Sequence, residues 1–220
     1  MADSNPKTHP FWDLWGPIIF TLSVYAGVRH YLAEARYIPS GSMLPALQIQ
    51  DRLLVEKISF RRRSPGRGEI VVFNSPYSFD QELRSGPDPS PWRCLVVNLP
   101  LANFIPGLAH AACDAYIKRV VAVAGDQVLI NPKGEVTLNG AKSNESYVAN
   151  YCLLDKHGIS HCPALNLKVP SGHVLVLGDN RRNSWDSRFW PGGPFLPETE
   201  IIGRAVWRFW PIGRLGSVSL

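Results

Sequence analysis

The sequence predicts a mainly β fold with antiparallel sheets, a smaller β-rich part and one N-terminal membrane helix. Nineteen prolines and 18 glycines among 220 residues leave little room for long helices. The apolar runs beyond residue 50 are short and end at turn residues, which is typical of strands. The length supports one sizeable core, or one core with a small satellite domain.

The N-terminal helix is predicted from residues 14–28, which carry no charge. A full span needs about 20 apolar residues, and here Arg29 can snorkel while residues 31–33 extend the stretch. Tryptophans and tyrosines stand near both ends, as in an aromatic belt. We therefore expect a tail at 1–13 and a membrane anchor helix at 14–33. A cleavable signal peptide, which has a basic leading region, and a buried core helix are the alternatives. The flanking charges leave the orientation open.

Strand-like runs follow the anchor. They cover residues 51–60, 67–74, 116–130, 134–140, 173–180 and 201–213. Gly125-Asp126 predicts a turn inside the third run, and Asn139-Gly140 is a strong hairpin signal.

These runs suggest two β units. Residues 34–125 and 171–220 are expected to form the main β domain, and residues 126–170 a smaller β-rich subdomain. Residues 75–113, rich in proline and glycine, form an insertion in the main domain. This insertion could pack locally or touch lipid.

The net charge of +5 indicates partners only weakly. The most basic run, Arg61–Arg63, is interpreted as a solvated hairpin loop, since no zinc-finger spacing or helix-turn-helix pattern accompanies it. Nucleic acid is therefore not an expected partner. A basic excess of this size suits a protein beside anionic lipid at least as well, so membrane lipid is expected.

The four cysteines fall as two pairs, Cys94 with Cys113 and Cys152 with Cys162. In an exported domain they could form two disulfides, and sequential pairing is the simplest of three connectivities. Free thiols are one alternative. A metal site is another, since two histidines lie between the second pair, but the spacing matches no usual zinc pattern and no metal is expected.

The segment "YIPSGSMLPAL", residues 37–47, is a hydroxyl-rich turn between Pro39 and Pro45. An ordinary strand does not use prolines and glycine so close together. The segment is either a surface turn or a rigid elbow that holds a nucleophilic serine. A serine needs a base to take its proton. None of the six histidines lies in a compact motif beside an aspartate, although a triad forms only in the fold and stays open.

A neutral lysine could act as the base instead. Burial among apolar groups lowers a lysine pKa from ~10.4, and a drop of ~2 units makes the neutral amine common. Lys118 lies inside the apolar run "AYIKRVVAVAG", where alternation puts it on the same face as Tyr116 and Val120. On the pattern alone, however, an edge strand with outward-facing Lys118 and Arg119 is favoured.

Five segments in order, "YIPSGSMLPAL", "DRLLVEKI", "RGEIVVF", "YIKRVVAVAGD" and "GDNRRNSWDSR", resemble the sequence boxes of the type I signal peptidases. These are membrane-anchored Ser/Lys endopeptidases that remove signal peptides from exported preproteins. The resemblance covers residues 37–74 and 116–210, and is closest to single-anchor bacterial and thylakoid-type members. It implies a single-pass protein of a bacterial plasma membrane or thylakoid-type membrane, with the catalytic domain on the exported side and no cofactor.

By motif position the resemblance implies that Ser42 is the nucleophile and Lys118 its general base. The Ser40 hydroxyl and the Ser42 N–H would donate to the oxyanion, where one donor is worth about 3–4 kcal/mol in the transition state. Ser184 resembles the serine that orients the lysine amine.

The same comparison implies a supporting turn built by Asp179, Asp186 and Arg188, with an ion pair between the last two. Arg182 departs from the family pattern, since many relatives carry an acidic residue there. The charge balance around the site is therefore left open, but the Ser/Lys pair is not affected.

The family cleaves after small residues at the first and third positions before the cut, the Ala-X-Ala pattern. The apolar residues that flank the catalytic pair are expected to form shallow substrate pockets; they are Ile38, Met43, Leu47, Tyr116 and Ile117. An extended substrate would pair with strand edges. Trp207, Phe209 and Trp210 could pack a core or rest at the lipid interface.

Two other functions compete with the signal peptidase hypothesis. An autoproteolytic repressor of the SOS type would also use a Ser/Lys pair, but residues 1–36 contain an apolar anchor rather than a DNA-binding helical domain. A membrane-tethered binding module with a dead site would not need to retain Ser42, Lys118 and Ser184.

Overall fold

The computed structural model of the chain describes residues 10–84, 90, 94, 113–153, 155 and 160–218. The first nine residues of the predicted tail and most of the 75–113 insertion lie outside the described residues.

The apolar N-terminal segment forms one helix, α1 (Pro10–Tyr31). The helix begins four residues before the predicted start, since proline is well suited to a first helical turn. It ends two residues before the predicted end because Ala33 already pairs with Glu56 in a sheet. Phe11–Tyr31 make 21 residues that are apolar and long enough to cross a membrane, and their most apolar part is not buried against the protein.

Beyond α1, the regular elements of the described residues are mainly short strands, together with a short helix, α2 (Pro76–Phe79), and several short 3-10 helices. The strands are β1 (Ala33–Tyr37), β2 (Arg52–Glu56), β3 (Ile70–Asn74), β4 (Ala115–Val123), β5 (Gln127–Ile130), β6 (Val136–Leu138), β7 (Ala141–Lys142), β8 (Leu165–Lys168), β9 (His173–Leu177), β10 (Leu196–Pro197), β11 (Ile201–Trp210) and β12 (Gly216–Ser217). The predicted mainly β fold with one N-terminal apolar helix is confirmed.

The larger sheet has the order β1-β2-β11-β3-β4-β9-β10, with β12 paired to β11, and its pairings are antiparallel. Strand β4 is therefore interior, flanked by β3 and β9. Lys118 and Arg119 are only 4% and 2% exposed. The expectation that both side chains face outward is thus wrong. Strand β4 is paired on both edges at Arg119 and with β3 at Lys118, and such pairing cannot be read from the local pattern.

The smaller antiparallel sheet has the order β7-β6-β5-β8 and lies within the 126–170 segment. The Asn139-Gly140 turn joins β6 to β7 with both residues at positive φ, as a tight hairpin turn needs.

Three apolar clusters fill the core. One cluster includes Ile38, Met43, Leu47 and Ile117, so it ties the segment around the "PSGSM" turn to β4. The C-terminal aromatic residues of β11 lie outside these clusters. Trp207, Phe209 and Trp210 are 38–46% exposed, so they do not pack a core.

Candidate active site

The "PSGSM" turn holds Ser42 between two anchors. Met43, the next residue, is fully buried, and its carbonyl accepts a hydrogen bond from the Leu47 N–H at 2.9 Å. On the other side the Ser42 carbonyl accepts from the Asn180 N–H at 3.0 Å. The nucleophile candidate is therefore fixed by the core and by the "GDNRRNS" turn together.

Lys118 reaches this turn from the centre of the large sheet. Its Nζ lies 2.9 Å from Ser42 Oγ and 2.9 Å from the Ile117 carbonyl oxygen. Both side chains are buried, Ser42 being 7% exposed. Among the described residues no histidine forms a hydrogen bond with Ser42, so the triad alternative has no support there.

The electrostatics of the pair favour a neutral amine. Burial is the largest influence and lowers the pKa of Lys118 to about 8, because removal of water penalises the ammonium. The nearby Arg188 lowers it further, whereas the carboxylates of Asp186 and Asp179 act in the opposite direction. Near pH 8 the amine can therefore accept the proton of the Ser42 hydroxyl.

Ser40 lies beside the candidate nucleophile, with its Oγ 3.4 Å from Ser42 Oγ. Ser40 is exposed on the cleft side, while Ser42 is buried. If Ser42 Oγ attacked a carbonyl carbon, negative charge would develop on the carbonyl oxygen, and the Ser40 hydroxyl is a donor close to that position.

Ser184 lies at the site but does not form the expected hydrogen bond with the Lys118 amine. Its Oγ is buried and, within the described part of the chain, makes no hydrogen bond of normal geometry. The Lys118 amine donates instead to Ser42 and to a backbone carbonyl. A Cβ at Gly178 would lie 2.2 Å from Ser184 Oγ and 2.5 Å from the Ser42 carbonyl oxygen. Only glycine therefore lets the two segments approach each other this closely.

Asn180 is a residue that the sequence reasoning missed. Its backbone N–H binds the Ser42 carbonyl, and its side-chain Nδ2 donates to the Gly41 carbonyl at 3.0 Å. Both bonds hold the nucleophile turn in register with the "GDN" turn. Asn180 follows Asp179 in the motif "GDNRRNSWDSR", and this position in the motif is the sequence signal that could have identified it.

Two buried ion pairs support the turn. Asp186 pairs with Arg188 at 2.8 Å, as the resemblance implied, and also accepts from the Gly178 N–H. Asp179 pairs with Arg119 on β4, with oxygen–nitrogen distances of 2.7 and 2.8 Å. Each carboxylate is thus neutralised by an arginine, and the turn is bound to β4. Arg182, the residue that departs from the family pattern, is exposed.

The four cysteines form two disulfides, Cys94–Cys113 and Cys152–Cys162. The second lies against the supporting turn, since Arg188 Nη1 is 3.3 Å from Cys152 Sγ. His161 lies near the same sulfurs. The sulfurs bonded to each other are not thiolates, so in this state the cluster is a crosslink rather than a set of metal ligands.

A cavity of about 710 Å³ opens beside Ser42 and Lys118. Its walls include Ile38, Tyr116 and Ile117, three of the five predicted pocket residues. Met43 and Leu47 do not line it, which corrects the sequence expectation. Both are fully buried and pack in the core cluster of Ile38 and Ile117, so they support that wall from within.

Comparison with known proteins gives a consistent result. The family model described as "Signal peptidase, peptidase S26" matches residues 12–210. The chain is 39% identical over 215 residues to a probable signal peptidase I-2 of Synechocystis sp., covering 98% of this chain and 80% of that protein. It is 38% identical to signal peptidase I of Leptolyngbya laminosa, covering 99% and 89% of the two chains.

Two further matches have lower sequence identity. Thylakoidal processing peptidase 1 of Arabidopsis thaliana is 35% identical over 83% of this chain and 44% of its own length. A crystal structure of signal peptidase I from Enterococcus faecalis is 22% identical, with a TM-score of 0.40, over 64% of this chain and 97% of that chain. From the family match and the two cyanobacterial relatives, the chain belongs to the signal peptidase family of serine peptidases, peptidase S26, and is a hydrolase of peptide bonds.

Proposed function

We propose that this chain is a membrane-anchored endopeptidase that removes signal peptides from exported preproteins with a Ser42–Lys118 dyad. The observation that carries the proposal is the 2.9 Å contact between the two reactive atoms in a buried site. The pKa of about 8 for Lys118 supports it, since a general base works best near the operating pH.

Acylation begins when the neutral Lys118 amine takes the proton of the Ser42 hydroxyl. The Oγ attacks the carbonyl carbon of the scissile bond and forms a tetrahedral intermediate. As the C–N bond breaks, the Lys118 ammonium returns the proton to the leaving nitrogen. The mature protein departs with a new amino terminus, and the signal peptide remains as an ester on Ser42.

Deacylation repeats the proton transfers with water. Lys118, neutral again, takes one proton from a water molecule while the water oxygen attacks the ester carbon. The ester bond breaks and the ammonium gives the proton to Ser42 Oγ. The signal peptide leaves with a carboxyl terminus, and the dyad is restored.

The oxyanion of both intermediates would be bound by the Ser40 hydroxyl and the Ser42 N–H. Ser40 Oγ is 3.4 Å from the attacking oxygen, so its hydroxyl is close enough to donate to an oxyanion that forms beside Ser42. Loss of one such donor typically costs about 10²–10³-fold in kcat.

The preference for small residues before the cut would come from the cavity wall beside Ile38 and Ile117. These side chains are 2% and 9% exposed and pack against other core residues. They therefore cannot move aside to admit a large substrate side chain. Residues 115–118 of β4 pair with β3 on one edge, whereas β9 pairs only with residues 119–123. An extended substrate can therefore add to the open edge of β4.

Membrane anchoring is proposed from two features. Helix α1 is apolar, exposed and long enough to span, and it ends 11 residues before Ser42. Trp207, Trp210 and Ile212 expose an apolar surface on and after β11, of the kind that rests at a bilayer interface. The nucleophile would then lie near the membrane surface, where a membrane-inserted signal peptide ends.

We place the protein in a bacterial plasma membrane or a thylakoid-type membrane, with the catalytic domain on the exported side. The choice of these two membranes is supported by the relatives from cyanobacteria and from a chloroplast.

The test is cleavage of a preprotein by detergent-solubilised full-length protein. Ser42→Ala and Lys118→Ala should each lose at least about a hundredfold of the rate, since they remove the nucleophile and the base. The exposed residues Ser64 and Lys133 provide matched controls as Ser64→Ala and Lys133→Ala, which should cleave normally. A preprotein with a large residue before the cut should stay intact. Normal processing by either dyad variant would contradict the assignment.

A further inference from the structure

An aromatic wall stands beside the dyad and has no role in the proposed chemistry. Trp185 is half-buried, with its ring centroid 5.8 Å from that of Tyr116 and 6.0 Å from that of Tyr77. Tyr116 also faces the base, since Lys118 Nζ is 6.0 Å from its ring centroid. Trp185 and Tyr116 line the cavity, while Tyr77 stacks on Trp185.

The cavity reaches both faces of β4. On one face its walls are Ile38, Val72 and Ile117, which belong to one core cluster. On the opposite face its walls are Tyr116 and Trp185, which pack against a different cluster. The first wall is closed, with each residue at most 9% exposed, whereas the second is partly open to solvent.

An extended peptide on the open edge of β4 would present its side chains alternately to these two faces. The residues at the first and third positions before the cut must be small, so they face the closed wall at Ile38 and Ile117. The second residue before the cut then faces the aromatic wall. Its side chain meets a large, half-buried apolar surface instead of water.

We propose that Trp185 and Tyr116 form a binding subsite for the second residue before the cut, which favours an apolar or aromatic side chain there. This inference rests on the proposed peptidase function and adds a second determinant to the small-residue rule. A side chain that packs on Trp185 gains buried apolar area, which glycine and aspartate cannot gain.

The test compares peptides that share small residues at the first and third positions and carry Gly, Asp, Leu or Phe at the second. For the wild type we expect kcat/KM to be about tenfold higher with Leu or Phe than with Gly. Trp185→Ala should reduce this ratio to below about twofold, while the Gly peptide keeps its rate within about threefold. Trp185→Phe should retain most of the ratio. Trp207→Ala, an exposed tryptophan outside the cavity, should retain all of it.

The outcomes separate the subsite from the peptidase function. If the wild type cleaves the peptides but shows no preference at the second position, or if Trp185→Ala keeps the preference, the subsite is overturned and the dyad is not. If the wild type cleaves none of the peptides or preproteins, both proposals are overturned. If Trp185→Ala does not fold, Trp185→Phe decides the question, because it keeps an aromatic surface. A folded Trp185→Phe variant that cleaves the Leu and Phe peptides no faster than the Gly peptide also overturns the subsite.

Discussion

The protonation state of Lys118 should control the rate of cleavage. The amine is buried with a pKa of about 8, and only its neutral form can take the Ser42 proton. Below pH 8, kcat/KM should therefore fall about tenfold per pH unit, and above pH 8 it should level off. At pH 7 about a tenth of the molecules would carry a neutral amine, against roughly 0.04% for a solvated lysine. Burial thus increases the reactive fraction about two hundredfold.

The assay is a pH–rate profile with a short peptide between pH 6 and pH 10. Lys118→Arg provides the matched variant, because a guanidinium stays protonated across this range. It should lose about 10²–10⁴-fold at every pH and show no rise near pH 8. Circular dichroism would establish that the variant is folded.

Two results would refute this reasoning. An ascending limb near pH 6.5 would point to a histidine base. A Lys118→Arg variant that keeps a pH-dependent rate would remove the lysine from the chemistry altogether.

Three further variants test the surroundings of the dyad. Gly178→Ala should abolish cleavage and lower the melting temperature, since its Cβ would lie within 2.5 Å of two segments, whereas Gly213→Ala has no atom within 4 Å and should be neutral in both measurements. Asn180→Ala should lower kcat about ten- to a hundredfold with little change in KM, because it removes a bond that holds the nucleophile turn. Cys152→Ser with Cys162→Ser should lower the free energy of unfolding by about 2–3 kcal/mol in urea titration, the value for a short closed loop.

Each of these three predictions has a contradicting outcome. An active Gly178→Ala variant would mean that the two turns do not approach as closely as described. An Asn180→Ala variant with unchanged kcat would mean that its bonds do not fix the nucleophile. Equal unfolding midpoints with and without the second disulfide would show that this crosslink does not constrain the unfolded chain.

Much of the fold was predictable from local pattern. The short apolar runs predicted the strands around residues 52–56, 70–74 and 201–210, because runs of this length that end at turn residues are typical of strands. The hairpin at Asn139-Gly140 followed from the need for positive φ at both turn residues. The uncharged N-terminal stretch predicted its helix, with ends displaced by two to four residues.

Other features depended on contacts between distant segments. The pattern around Lys118 favoured an outward-facing lysine, but its side chain is buried and contacts Ser42, 76 residues away in the sequence. Met43 and Leu47 were expected in the substrate pockets, but both pack in the hydrophobic core. Asn180 and Gly178 acquire their roles from atoms more than 130 residues away in the chain, at Gly41 and Ser42.

The sequence by itself determined which chemical groups are present: a serine on a rigid turn, a lysine in an apolar strand and an apolar helix ahead of both. The ordered motifs also identified the family. Only the tertiary structure decided whether the groups meet and in which protonation state, because the distance from Ser42 to Lys118 and the exclusion of water from the amine arise when strands remote in sequence pack together.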